Sequence, residues 1–174
     1  SSKFLSVMTF NLHLLVQRTS YPNESPAELF EEPSILNQVL PEIINMRPNI
    51  VLLQEVPTPA FYASTKRNRK DKTPFRQPDL ELEKGLGSSG YNKVVCSVMT
   101  SSPFLQNCIY IKDAGRVMGV STVDLSLKRS MAIADLNLGQ GRIIKVIATH
   151  VDKFTIKELS DAVAGFSADS VIIG

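Results

Sequence analysis

Pro48 to Glu55 constrains this chain more than any other stretch. Ile50-Val51-Leu52-Leu53 is an unbroken apolar run, bounded by Pro48-Asn49 behind and Gln54-Glu55 ahead. Four consecutive apolar residues read as a strand covered on both faces, as in the inner layers of an α/β structure. Upstream, Ile35, Val39, Leu40, Ile43 and Ile44 recur at helical spacing behind Ser34, a capping residue, and Phe4 to Asn11 reads as a strand. Strand, helix and buried strand make a βαβ unit whose two strands are parallel neighbours. Asn11 and Glu55 are therefore expected to leave the sheet at the same edge. Pro41 sits inside the helical pattern and removes a backbone hydrogen bond, so a kink or a late start is expected there.

Further along, the hydrophobic period changes to two. Asn92–Met99, Cys108–Lys112, Arg116–Leu125, Met131–Leu138 and Arg142–His150 read as successive strands of a long antiparallel meander. Asp113-Ala114-Gly115 and Gly139-Gln140-Gly141 carry the chemistry of tight reversals between them. Leu80, Leu82 and Leu86 mark a short helix, Phe154 to Phe166 another, and Ser170 to Ile173 a last buried strand. The expected class is α/β, with two packed, mostly antiparallel sheets flanked by helices. With 174 residues, 43% of them hydrophobic, the chain reads as one domain spanning 1–174. No apolar run approaches the roughly 18–20 residues of a membrane span. Ser1-Ser2-Lys3 leads straight into a strand, and no secretory signal is read there. Cys96 and Cys108 lie inside strand-like runs and read as buried free thiols, which favours an intracellular compartment.

A net charge of +2 does not by itself identify a nucleic-acid partner, but its distribution is uneven. Six of the 19 basic residues fall between Lys66 and Arg76, within an excursion over 58–78 where the apolar pattern fails. Such a run is either a landing strip for a polyanion or a solvated insertion, and it has no interleaved aromatic residues for base stacking. Glycine-rich phosphate loops, zinc-type Cys/His clusters and Ser-His-Asp arrangements are absent from the sequence.

Chemistry is expected where the strands end. Glu55 follows a buried strand, and its hard oxygen ligands suit Mg²⁺, which takes one or two carboxylates and keeps several waters. Asn11 can join that metal shell or orient a phosphate; alone, an Asn there is more often a turn residue. His150 arrives where the strand Ile143–Thr149 leaves the core, placed to donate to a phosphate oxygen or to move a proton. Arg129 opens the preceding strand, and its planar fork matches a phosphate, the alternative being an exposed turn residue. His13 has no comparable support and reads as non-catalytic.

Several stretches together resemble the endonuclease/exonuclease/phosphatase superfamily, which includes deoxyribonuclease-type and abasic-site endonucleases. Met8-Thr9-Phe10-Asn11 looks like its T-x-N motif. Asn49 to Glu55 looks like D-I-V-x-L-Q-E, with Asn49 in place of the usual Asp. Asn107–Lys112 is similar to the G-N-A-I-L-type strand, Arg129–Ile133 to R-x-x-A-I, and Ala148–Val151 to T-H-L. The resemblance implies a four-layer αββα sandwich that hydrolyses phosphate esters with a divalent metal, Mg²⁺ or alternatively Mn²⁺. It assigns metal binding to Glu55 and Asn11, phosphate contacts to Arg129, Asn11 and His150, and catalytic roles to Glu55, Asn11 and His150.

The family pattern continues after the I-I-x-G strand with G-D-x-N, whereas this sequence stops at Gly174. These residues therefore read as the front part of a longer enzyme, inactive alone and incomplete in the second sheet. Nucleic acid is the leading substrate expectation. Lipid, inositol-phosphate or sphingomyelin-type esters are the second. A non-catalytic interaction scaffold that keeps the fold is the third.

Overall fold

The structure, a computed structural model, describes residues 5–12, 36–61, 78–99, 102–126, 129–151 and 153–174. Ser34, His13 and the basic run at 66–72 lie outside the described residues.

The βαβ expectation is met. Strand β1 (Val7–Asn11) pairs in parallel with β2 (Ile50–Pro57), in register from Val7↔Ile50 to Asn11↔Gln54. Helix α1 (Leu36–Met46) connects them and buries Leu36, Val39 and Ile43. The helix continues past Pro41, which is exposed and leaves one backbone donor missing. At its end Arg47 adopts φ +50° and donates its N–H to Ile43 O at 3.1 Å, a left-handed helix cap. Asn49 then accepts on Oδ1 from both the N–H and the hydroxyl of Ser6, each at 2.9 Å. That is acceptor work an Asp could do equally, so the exchange at this position leaves the strand entry intact.

Ile50 and Leu52 point into one apolar cluster, while Val51 and Leu53 point into another. This two-sided burial is why the sequence shows no alternation there. The first sheet has strand order β1-β2-β4-β3, with β3 at Asn92–Met99 and β4 at Ser102–Ile111. The second has order β5-β6-β7-β8, with β5 (Val117–Asp124), β6 (Ser130–Gly139), β7 (Arg142–Thr149) and β8 (Ser170–Ile173). Helices α1 and α2 (Pro78–Ser88) cover the outside of the first sheet, and α3 (Ile156–Ala164) covers the second. The result is a four-layer α/β sandwich. No helix among the described residues is long and apolar enough to cross a membrane.

Three sequence expectations need correction. The five strands do not form one meander: β3 and β4 belong to the first sheet, β5 to β7 to the second. Asp113-Ala114-Gly115 is accordingly not a hairpin turn but part of a single-turn 3₁₀ crossing between sheets. Gly139-Gln140-Gly141 does close a hairpin, with positive φ at all three residues and Gly139 paired to Arg142. Strand β4 starts at Ser102, well before Cys108, because Gln106 and Asn107 interrupt the apolar alternation while still pairing. Finally, Cys96 and Cys108 are not free thiols. They face each other across β3 and β4 and form a disulfide with a Cα–Cα distance of 4.2 Å. Strand-like runs taken singly conceal that two cysteines are register partners.

Candidate active site

Parallel pairing of β1 and β2 carries Asn11 and Glu55 to one edge of the first sheet. The β2–β4 register then slips: Leu53 pairs with Cys108 and Val56 with Gln106, so Gln54 and Glu55 together face Asn107. This is a β-bulge, a device that re-aims a side chain at a sheet edge. Glu55 takes φ +54°, a conformation in which a non-glycine residue stores strain. Gln54 turns inward, 6% exposed, and donates from Nε2 to Thr9 Oγ1 at 2.9 Å. With Gln54 so held, the extra residue sends the Glu55 carboxylate toward the second sheet.

In the second sheet, Met131 pairs with Thr149, which sets Ser130 beside His150 and Arg129 just beyond. His150 Nδ1 lies 3.0 Å from Glu55 Oε1, joining the two sheets across the edge. The nitrogen is buried, and its approach to the carboxylate lacks hydrogen-bond alignment. The contact is therefore electrostatic, attractive when the imidazole is protonated. The two side chains are 29% and 17% exposed, so neither is sealed from a substrate.

Asn11 is the register partner of Gln54, one residue short of Glu55, and is exposed. Arg129 is half-buried at the mouth of β6. The structure thus gathers all four expected residues on one edge, with Glu55 and His150 in direct contact.

Sequence reasoning missed the floor beneath them. Ser97, Asn107, Ser130 and Thr149 are all buried and polar. Ser130 O accepts from Asn107 Nδ2 and from Thr149 Oγ1, each at 3.0 Å, while its hydroxyl donates to Ser97 Oγ at 3.0 Å. Asn107 Oδ1 is buried with no hydrogen-bond partner. The available signal was polar residues recurring inside apolar strands, which mark a seam only once the strands are superposed. Gly174 closes the same edge: a Cβ there would stand 2.8 Å from Leu52 Cδ1 and 2.9 Å from Thr9 Oγ1. A larger residue there would require the Leu52 and Thr9 side chains to shift.

Among the described residues no group of three or more His, Cys, Asp or Glu could hold a metal. One carboxylate with a neighbouring amide does not suit zinc or a calcium cage. It does fit a hard cation that keeps most of its water, as Mg²⁺ does. Two described clefts, of about 300 and 280 Å³, lie at the opposite edge, one lined by Arg116 and Asn137, the other by Arg47 and Lys112. In the second, Lys112 Nζ stands 5.0 Å from the centroid of the Tyr91 ring.

This four-layer sandwich has the fold of solved endonuclease/exonuclease/phosphatase proteins. An endonuclease/exonuclease/phosphatase family protein from Leptotrichia buccalis superposes with a TM-score of 0.61 at 12% identity, over 98% of this chain and 66% of its own. TDP2 from Caenorhabditis elegans gives 0.57 at 16% identity, over 93% and 43% respectively. TDP2 from D. rerio, solved with a single-strand DNA product, gives 0.54 at 14% identity, over 97% and 58%. The chain thus spans between 43% and 66% of these solved proteins. No protein-family model and no curated protein matches the sequence. At such identities the likeness fixes the fold, while function must be argued from the site.

Proposed function

We propose that this chain contributes the Glu55–His150 half of a metal-dependent phosphodiesterase acting on nucleic acid. The observation that carries the reading is the strained bulge that delivers Glu55 to within 3.0 Å of His150 across two sheets. Strain of this kind persists only where surrounding structure imposes it, and it concentrates at functional positions.

Glu55 and Asn11 would hold Mg²⁺, or Mn²⁺ in its place. The bound ion would supply Lewis-acid stabilisation of charge on phosphoryl oxygens. The remaining roles belong to the chain itself. Arg129 presents a planar fork of donors to the phosphate. His150 donates to a phosphate oxygen or carries a proton, and Glu55 holds the imidazole's other flank, 3.0 Å from Nδ1. The DNA product bound to D. rerio TDP2 favours nucleic acid over a lipid or inositol phosphate as substrate. The basic run at 66–72 supplies charge for such a polyanion.

Two measurements test this. Mn²⁺ titration of the chain should show one site, weakened at least about tenfold by Glu55→Gln, since the substitution removes the charged member of the proposed Glu55–Asn11 pair. In a chain extended to the length of the solved relatives, the same substitution should lower turnover of single-stranded DNA by about 100-fold or more, the scale of losing a charge-stabilising group. Unchanged metal affinity and unchanged turnover would leave a scaffold.

A further inference from the structure

The Cys96–Cys108 disulfide lies one rung from the floor of the site. On the β3–β4 ladder Cys96 pairs with Cys108, and the next rung pairs Ser97 with Asn107. Alternation sends the cysteines outward into the helix-covered cluster and sends Ser97 and Asn107 inward to Ser130. Strand β3 is the edge of its sheet, and its register with β4 slips on both sides of this rung, at Lys93/Val95 and at Val98/Met99. Only a short regular stretch therefore holds β3 here, and the disulfide is its covalent member.

We infer that Cys96–Cys108 is a redox-modification site, reduced by a dithiol, whose opening loosens the Ser130 anchor between Arg129 and His150. Access differs between the two sulfurs, because Cys108 is fully buried whereas Cys96 is half-buried on the edge strand. A thiolate of the dithiol attacks Cys96 Sγ, the Sγ–Sγ bond breaks, and Cys108 leaves as a thiolate that takes up a proton. The reductant's second thiol then attacks the mixed disulfide and releases Cys96 as a thiol. Two electrons and two protons pass to the protein, and the dithiol becomes a cyclic disulfide.

Reduction removes the one covalent tie at this rung of the β3–β4 ladder. Cys108 is packed among Val51, Leu53, Leu82 and Leu86 and has nowhere to go. The edge strand yields instead, and Ser97, adjacent to Cys96, moves with it. Ser130 then loses the acceptor of its hydroxyl, and the partner of its carbonyl shifts. Any consequence for phosphate handling rests on the proposed function; the structural coupling does not.

The test uses the whole chain. Hydrogen exchange is followed by NMR in native buffer before and after treatment with dithiothreitol, with thiols counted by alkylation. The inference expects two thiols and at least tenfold faster exchange at 97, 107, 130, 131 and 150, with the Ile50–Leu53 strand still protected, reversed on reoxidation. The double variant C96A/C108A should show no response to dithiothreitol. Three results would each overturn it. The chain could purify without reductant as two free thiols. Reduction could leave exchange near Ser130 unchanged. Or the thiols could react only when the whole chain unfolds, which would make the bond a staple alone.

Discussion

The space between the two sheets has two halves of opposite character. One is apolar throughout: Ile50, Leu52, Ile109 and Ile111 from the first sheet meet Ala132, Ala134, Leu136, Ile144, Val146 and Ala148 from the second. The other, nearest Glu55 and His150, is the polar seam of Ser97, Asn107, Ser130 and Thr149. Apolar contacts are non-directional, so the first half supplies cohesion and tolerates small sliding of one sheet on the other. Hydrogen bonds are directional, so the second half supplies little net stability but fixes where the sheets stand at the edge that carries the chemistry. The two halves divide the work of holding and of placing.

That division can be broken in order of effect. Leu52→Ala, in the apolar half, should cost about 2–5 kcal/mol in denaturant unfolding, the range for deleting a fully buried leucine. A loss under about 1 kcal/mol would mean that the sheets are not held where the structure places their contact. Ser130→Ala should cost only about 1 kcal/mol, yet raise hydrogen exchange at 129–131 and 150 out of proportion to that loss. If exchange rises evenly across the chain instead, the seam has no separate positioning role. Asn107→Leu should change stability by less than about 1 kcal/mol, since it removes an unsatisfied buried oxygen while Ser130 O keeps Thr149. A large loss on unfolding would move Asn107 into the cohesive half.

Legibility in the sequence followed the same boundary. The β1-α1-β2 unit, α2, α3 and most strand spans were readable, because burial on one or both faces imprints a period on the residues themselves. Asn11, Glu55, Arg129 and His150 were readable as candidates because each stands where an apolar run ends. The division of five strands between two sheets was not readable, since alternation reports one buried face and not which neighbour covers it. The Asp113–Gly115 segment looks as much like a hairpin as like a crossing between sheets. Asn107 and Ser130 were invisible as a pair because 23 residues separate them.

The sequence by itself determined which segments are helix or strand, and that a carboxylate and an imidazole each arrive at the end of a buried strand. Local sterics and hydrophobic period decide those matters within a few residues. Tertiary structure alone decided that Glu55 sits in a bulge with positive φ, that it meets His150 from the opposite sheet, and that Cys96 and Cys108 share a rung. Each depends on the register and stacking of distant strands, and register is a property of pairs of segments that neither segment encodes alone.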